Sequence, residues 1–321
     1  MKLLLHLILI FVSASAFCQE TLESNEKFSL LLIKASPNKH FHHNYLLFIP
    51  KKTPKDSLIH LLVEPNNTGE ISDSISVHQK SAIHLASVAS VGNNISTELN
   101  IPLLVPIFPR PESNPLVYTH ALDRDIILEK TKTLKRLDLQ LLAMIKDAKT
   151  RLQAMDIKIY DKFFMNGFSA SASFTNRFLF IHPEKVKAAA MGGLNGALML
   201  PLKQINNNKL NYPLGINDFK KRFKTSFDFK NYLQIPQYIY MGKLDSNDAV
   251  QFDDAYNLKE RNIINSNQGF TVQTRWNFCQ KIYEKQQVNV KFETFENVGH
   301  WTTGKMNLAT ILFFYGIIKG E

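Results

Sequence analysis

Short apolar runs and helical patterns alternate along this chain. The runs are rich in β-branched and aromatic residues, as strands are, and the segments between them repeat apolar residues every three or four positions. Such alternation predicts an α/β fold, a mostly parallel sheet flanked by helices, in which the first two strands form an antiparallel edge pair. The predicted strands cover residues 28–34, 45–49, 58–63, 102–107, 163–165, 186–191, 238–241 and 288–295.

The longest helical pattern covers residues 126–155, and its opposite face carries many lysines and arginines. We interpret that face as the solvated side of a helix lying on the sheet rather than as a nucleic-acid surface. Shorter helices are predicted near residues 79–91, 174–180, 272–284 and 308–318.

Residues 195–235 interrupt the alternation with an asparagine run, two prolines and an aromatic, basic stretch. An insertion between two core strands is a natural place for a cap over a pocket. We therefore expect a cap-like insertion that shapes the substrate site.

Composition excludes several classes of protein. The 321 residues are 45% hydrophobic, which excludes disorder, and the formal charge of +10 comes from 38 Lys+Arg against 28 Asp+Glu. The basic residues are spread thinly, so no nucleic-acid partner is predicted. The sequence gives no indication of oligomeric state.

Residues 1–18 have the features of a secretory signal peptide: one lysine, a short apolar run, then small residues. The apolar run is too short to span a membrane, and no later segment spans one either. Cleavage after Cys18 would leave Cys279 as the sole cysteine, expected to be a buried, inert thiol. Lipid modification of Cys18 is the alternative. The expected location is secreted or periplasmic.

The most informative stretch is Gly167-Phe168-Ser169-Ala170-Ser171, which follows a short apolar strand and precedes a helical pattern. A nucleophile on a sharp strand-to-helix turn needs small residues two positions before and after it. Gly167 meets that need for Ser169, and Ser171 stands where glycine is usual.

Two further motifs follow strand ends. Gly242 and Asp245 come after the strand at 238–241, and Gly299 and His300 come after the last strand. Open α/β sheets build their sites at the carboxyl ends of strands, so Ser169, Asp245 and His300 are expected to converge.

With these motifs, the sequence resembles the α/β-hydrolase superfamily over nearly the whole chain after residue 28. Within that superfamily it is most similar to secreted bacterial esterases of the polyhydroxybutyrate-depolymerase and feruloyl-esterase type. The resemblance implies one hydrolase domain over residues 19–321. Ser171 in place of the last glycine is the departure from the superfamily pattern.

The resemblance also implies roles. Ser169 would attack the substrate carbonyl, His300 would act as base and then acid, and Asp245 would orient the imidazole. Asp248 lies on the same loop and is the alternative acid, although the Gly-x-x-Asp spacing favours Asp245.

An acyl-transfer site needs two donors for the oxyanion. The backbone amide of Ala170 is expected to be one, and Asn66 or Asn67, after the third strand, to supply the other. The usual His-Gly of that loop is absent.

No cofactor or metal is predicted. The histidines at 40, 42 and 43 have no cysteine or carboxylate nearby at ligand spacing, and we expect them in an exposed turn.

The sequence therefore predicts an exported serine hydrolase that cleaves carboxylic esters, with a small-molecule or polymeric ester as substrate. Two alternatives stay open at this point: a serine peptidase on the same fold and an inactive, hydrolase-like binding protein.

Overall fold

A computed structural model describes residues 19–67, 69–194 and 196–320. The strands within these ranges are β1 (Gln19–Ser24), β2 (Phe28–Ile33), β3 (Tyr45–Pro50), β4 (Leu58–Ile59), β5 (Leu62–Val63), β6 (Leu103–Pro106), β7 (Lys158–Ile159), β8 (Phe163–Phe168), β9 (Val186–Gly192), β10 (Gln204–Ile205), β11 (Asn208–Lys209), β12 (Gln237–Gly242) and β13 (Val290–Phe295). The α-helices are α1 (Ile75–Ser87), α2 (Val91–Leu99), α3 (Arg124–Leu128), α4 (Leu137–Gln153), α5 (Ala170–Ile181), α6 (Phe219–Phe223), α7 (Phe229–Gln234), α8 (Leu258–Gln268), α9 (Val272–Lys285) and α10 (Gly304–Lys319).

The central sheet has nine strands in the order β1-β2-β3-β6-β5-β8-β9-β12-β13. The pairs β1/β2, β2/β3 and β3/β6 are antiparallel, and every neighbouring pair from β6 to β13 is parallel. The predicted α/β fold with a mostly parallel sheet is therefore confirmed. The first two predicted strands do pair antiparallel as β2 and β3, but the outer edge is β1, which no pattern in the sequence indicated.

The middle strands are buried because helices cover both faces of the sheet. Phe163, Phe164 and Met165 on β8 are successive apolar residues with at most 1% of their surface exposed. Alternating polar residues would be buried unpaired there, so the strand is apolar on both sides. The edge strand β13 is only partly buried, and its polar residues alternate accordingly.

The predicted long helix at 126–155 is wrong as a single element, since the chain forms α3 and α4 with a turn between them. Asp123 caps α3 by accepting from the Ile126 N–H at 2.9 Å. Glu129 ends it, because its carboxylate accepts from the N–H groups of Lys130 and Thr131 in the turn. Arg136, with a φ of 49°, then starts α4.

The predicted strand at 58–63 is also divided. β4 pairs with β7 in a separate two-stranded ladder, and β5 enters the central sheet between β6 and β8. The change of partner within a few residues explains why one apolar run gives two short strands.

The insertion between β9 and β12 is described from residue 196, and its first predicted residue, Asn195, lies outside the described residues. It contains β10, β11, α6 and α7. Its aromatic residues pack on the C-terminal end of α5, where the rings of Phe180 and Tyr232 lie 4.3 Å apart. Another part of the insertion contacts the middle of α5, where the Met199 N–H donates to Asn176 Oδ1 at 2.9 Å.

The signal-peptide prediction and the Cys18 alternative fall on residues 1–18, which lie outside the described residues. Across the parts of the chain that are described, no helix is both long enough and apolar enough to cross a membrane. Cys279 is a free, buried thiol, as expected, and burial raises its pKa to about 12.

Candidate active site

Ser169 lies on the sharp turn between β8 and α5. Its φ of 61° and ψ of −125° are a backbone conformation that residues with a side chain rarely adopt. The Ser169 N–H donates to the Gly192 carbonyl at 2.9 Å, and the Ser169 carbonyl accepts from the Ala172 N–H at 3.1 Å. Backbone strain of this kind costs about 1–3 kcal/mol and persists only where the surroundings impose it. The turn therefore presents the Ser169 side chain at the carboxyl end of β8.

Gly167 allows this turn because backbone atoms of α5 fill the space that a Cβ atom would occupy. A Cβ atom at this position would lie 2.3 Å from the Ser171 carbonyl oxygen and 2.7 Å from the Ala172 nitrogen. The close approach of α5 to β8 thus requires glycine at 167, as the sequence pattern predicted.

Ser171, the departure from the expected glycine, has a structural role in the turn. Its Oγ accepts from the Phe168 N–H at 2.9 Å and lies 2.8 Å from the Phe168 carbonyl, to which it can donate. Both contacts tie the first turn of α5 back to the end of β8. Ser171 is buried, with 1% of its surface exposed, and does not open onto the cavity over Ser169.

The structure brings Ser169, His300 and Asp245 together. His300 Nε2 lies 2.9 Å from Ser169 Oγ, and His300 Nδ1 lies 2.9 Å from Asp245 Oδ2 and 3.1 Å from Oδ1. With its proton on Nδ1, His300 donates to the carboxylate while Nε2 accepts from the serine hydroxyl. Asp245 follows β12 and His300 follows β13, which are adjacent parallel strands, so the two loops leave the sheet at the same edge.

The Asp245 carboxylate is buried, with a side chain 1% exposed, whereas His300 is 26% exposed. Oδ1 also accepts from the Asn247 N–H at 3.0 Å, and Gln273 Nε2 donates to the Asp245 backbone carbonyl. The Phe168 ring packs beside the imidazole at a centroid distance of 5.1 Å. These contacts fix the orientation of both side chains.

Asp248, the alternative acid, is engaged with groups other than the imidazole. Its Oδ1 lies 2.5 Å from a guanidinium nitrogen of Arg275, whose side chain is 1% exposed, and accepts from the Val250 N–H at 3.0 Å. The geometry therefore favours Asp245 as the partner of His300, with Asp248 fastening the following part of the loop.

The two asparagines proposed for the oxyanion site have different surroundings. Asn66 is fully buried and its amide is engaged with Phe108: Nδ2 donates to the Phe108 carbonyl at 2.9 Å, and Oδ1 accepts from the Phe108 N–H at 3.0 Å. The Asn66 side chain thus joins two strand ends and does not face Ser169. Asn67 lies beside the sharp turn at Ser169 between β8 and α5, here called the elbow, where Nδ2 donates to the Phe168 carbonyl at 3.2 Å. Ala170 is the first residue of α5, where backbone N–H groups have no partner within the helix.

Asn247 is a site residue that the sequence patterns did not single out. Its Nδ2 lies 3.0 Å from His300 Nε2 and 3.5 Å from Ser169 Oγ. No motif marks an asparagine two residues after the acid, so only the folded geometry reveals it.

An open cavity of about 870 Å³ lies over Ser169. Most of its lining is apolar or aromatic, and one cation, Arg110, stacks 4.0 Å above the Tyr118 ring and bonds Asp254 at 2.6 Å. The lining residues are Asn67, Gly69, Ile71, Arg110, Pro115, Leu116, Tyr118, Phe168, Ser169, Asn247, Ala249, Phe252, Asp253, Asp254 and His300.

The expectation that the insertion shapes this site is wrong for the residues that the structure describes. None of the described residues between 196 and 235 lines the cavity over Ser169. The lining residues lie in the loops after β5, β6, β12 and β13 and at the end of β8.

A buried carboxyl, that of Glu64, lies just before Asn66 and Asn67 in the chain. Glu64 follows β5, and burial raises its pKa to about 7. Ser90 donates to Glu64 Oε2 at 3.3 Å, and a Cβ on Gly92 would lie 1.8 Å from the same oxygen. The Glu64 side chain therefore occupies the space that Gly92 leaves at the start of α2.

Within residues 19–67, 69–194 and 196–320, no group of three or more His, Cys, Asp or Glu side chains is arranged to hold a metal ion.

The sequence predicts an exposed turn for the histidines at 40, 42 and 43. That expectation is wrong for His43, which is buried and lies 2.8 Å from the Thr133 carbonyl. Burial lowers the pKa of His43 to about 4.

Solved structures of other proteins share this architecture. Poly(aspartic acid) hydrolase-1 from Sphingomonas sp. KT-1 is similar with a TM-score of 0.55 and 15% identity, over 85% of this chain and 92% of that one. An α/β-hydrolase enzyme from a Medee basin deep-sea metagenome library is similar with a TM-score of 0.51 and 11% identity, over 92% of this chain and 98% of that one. An S-formylglutathione hydrolase from Agrobacterium tumefaciens is similar with a TM-score of 0.50 and 10% identity, over 92% of this chain and 97% of that one.

No protein-family model matches the chain, and no curated protein matches it. At such low identities the structural likeness establishes the fold. The chain has the α/β-hydrolase fold, and the resemblance predicted from its motifs is confirmed at that level.

Proposed function

We propose that this protein is an exported serine hydrolase that cleaves carboxylic ester bonds. Ser169 is the nucleophile, His300 the general base and acid, and Asp245 the group that orients the imidazole. The observation that carries the proposal is the continuous contact from Ser169 Oγ through His300 to a buried Asp245, built on a strained elbow. A binding protein has no need to maintain that strain or that alignment.

The chemistry follows from the positions of the protons. As Ser169 Oγ attacks the ester carbonyl carbon, its proton passes to His300 Nε2, and the carbonyl oxygen becomes an oxyanion. The bond to the leaving alcohol then breaks, and His300 returns the proton to that alcohol. Water attacks the acyl-enzyme by the same route and releases the carboxylic acid and free Ser169. Asp245 stabilises the imidazolium through both steps without becoming protonated.

The oxyanion needs two donors. The Ala170 N–H is the first, since it follows the nucleophile at the N-terminus of α5. Asn67 is the second, because it is the member of the pair that lies beside Ser169 and lines the cavity. Asn66 supports the loop from below through its two hydrogen bonds to Phe108.

The cavity indicates the chemical character of the substrate. Ile71, Leu116 and Phe252 are exposed apolar residues on its walls, which suits the hydrocarbon part of an ester. The charge of Arg110 is already paired with Asp254, so the wall offers little unpaired charge to an ionic substrate. The three structural neighbours described above are all named as hydrolases, which agrees with a hydrolytic reaction in general.

The experiment is a comparison of p-nitrophenyl butyrate with the matched butyryl p-nitroanilide, using residues 19–321 and the Ser169→Ala variant. We expect ester turnover by the wild type, at least about 1000-fold slower turnover by the variant, and slower cleavage of the anilide. Preference for the anilide would indicate a peptidase. Equal ester turnover by both proteins would refute Ser169 as nucleophile.

The export proposal is supported by the signal-like pattern of residues 1–18. N-terminal sequencing of protein recovered from the periplasm or medium is expected to start at Gln19. A chain that starts at a lipid-modified Cys18 would overturn cleavage after that residue.

A further inference from the structure

The Asn247 side chain lies next to His300 Nε2 and Ser169 Oγ, the two atoms between which the proton passes in the proposed reaction. Its side-chain amide is 3.0 Å from His300 Nε2 and 3.5 Å from Ser169 Oγ, and it lines the cavity. An amide carries a donor nitrogen and an acceptor oxygen, and a half-turn of its last torsion exchanges them. Asn247 can therefore either donate a hydrogen bond to an oxygen next to Nε2 or accept one from it.

The loop that carries Asn247 is held on both sides. On one side the Asn247 N–H donates to Asp245 Oδ1 at 3.0 Å. On the other side Asp248 pairs with the buried Arg275 at 2.5 Å and accepts from the Val250 N–H. Because the backbone around Asn247 is already held, a ligand that bonds to its amide has to order only the side chain. Asp248, which bonds to Arg275 and Val250, thus contributes to the site by fixing its neighbour.

We infer that the Asn247 amide binds the oxygen that occupies the place next to His300 Nε2, which is the leaving alcohol during acylation and the attacking water during deacylation. This inference rests on the proposed function. During deacylation the water donates one hydrogen to Nε2 and the other to Asn247 Oδ1, so that its lone pair faces the acyl carbon. The C–O bond forms, the proton moves to Nε2, and collapse returns it to Ser169 Oγ as the acyl bond breaks.

An activated ester separates the two steps. p-Nitrophenolate leaves without protonation, so acylation by p-nitrophenyl butyrate does not need Asn247, whereas the attack of water does. A neutral hydrogen bond is worth about 1 kcal/mol, and loss of the water contact should slow deacylation about five- to tenfold.

The test compares wild type with Asn247→Ala and with Ser246→Ala, an exposed neighbour on the same loop. Rapid-quench mass spectrometry measures the fraction of enzyme acylated at steady state, and initial rates give kcat/KM. For Asn247→Ala we expect deacylation to slow five- to tenfold, the acylated fraction to rise, and kcat/KM to stay within twofold. Ser246→Ala should match wild type in both.

A deacylation rate within twofold of wild type, or a parallel fall of kcat and kcat/KM, would overturn the inference, since the latter means that Asn247 only positions His300. Failure of the proposed function gives a different result, because wild type itself would then form no acyl-enzyme on Ser169.

Discussion

The Gly167→Ala substitution tests whether the elbow geometry is imposed by backbone contact. The added Cβ would lie 2.3 Å from the Ser171 carbonyl oxygen, and contacts below 3.0 Å do not occur, so α5 and β8 must separate by roughly 0.7 Å. Gly167 does not have a positive φ, so the cost is steric rather than conformational. Because the obstacle is buried backbone that cannot rotate away, we expect the upper end of the overpacking range, about 3 kcal/mol.

The same displacement moves Ser169, the proposed nucleophile. A misplacement of about 1 Å can cost about 100-fold in rate, so kcat/KM for p-nitrophenyl butyrate should fall roughly 10- to 100-fold. Calorimetry should show a melting temperature lower by about 6 °C, at about 2 °C per kcal/mol for a chain of this size.

Gly316→Ala is the matched control. Gly316 lies within α10 with nothing inside 4 Å of the added atom, so alanine should stabilise the helix by about 0.5–1 kcal/mol and leave activity unchanged. If Gly167→Ala kept the wild-type melting temperature within 1 °C and the wild-type activity within twofold, the explanation of the elbow would be refuted.

Three further substitutions test the surroundings of the elbow. Asp245→Asn should lower kcat by about 10³–10⁴ while Asp248→Asn loses far less activity, and the reverse ranking in an ester assay would reassign the acid. Ser171→Ala should lower the free energy of unfolding by about 1 kcal/mol, because the half-buried backbone groups of Phe168 lose a hydrogen-bond partner; an unchanged urea midpoint would contradict that. Burial raises the pKa of Glu64 to about 7, so folding favours its protonated form, and its contribution to stability is lost as pH rises from about 4.5 through 7. Wild type should therefore lose up to about 3 kcal/mol relative to Glu64→Gln between pH 5 and pH 8, and a constant difference in urea unfolding would refute the buried carboxyl's role.

Much of the candidate site could be predicted from the sequence because each part lies in a short motif at a strand end. Gly167 before the serine, Asp245 after β12 and His300 after β13 are local patterns, and the parallel sheet brings their loops to one edge. Asn247 and Arg275 could not be found this way, since their contacts depend on how separate loops pack.

The fold could likewise be predicted from the sequence only in part. Apolar runs marked the buried strands because both faces of the sheet are covered. Helix α8 was missed because few of its residues are apolar, although its capping box of Asn257 and Glu260 marks its start. The place of the insertion between β9 and β12 was predicted, but its position over the C-terminal end of α5 depends on long-range aromatic packing.

Fluorophosphonate labelling with peptide mapping is the most direct test of Ser169 as an activated nucleophile. A fluorophosphonate reacts with a serine hydroxyl only where a base takes its proton and an oxyanion site accepts the charge. We predict a single phosphonylated residue, Ser169, in folded wild-type protein and no labelling of Ser169→Ala. Equal labelling of both proteins, or no labelling of well-folded wild type, would contradict the account.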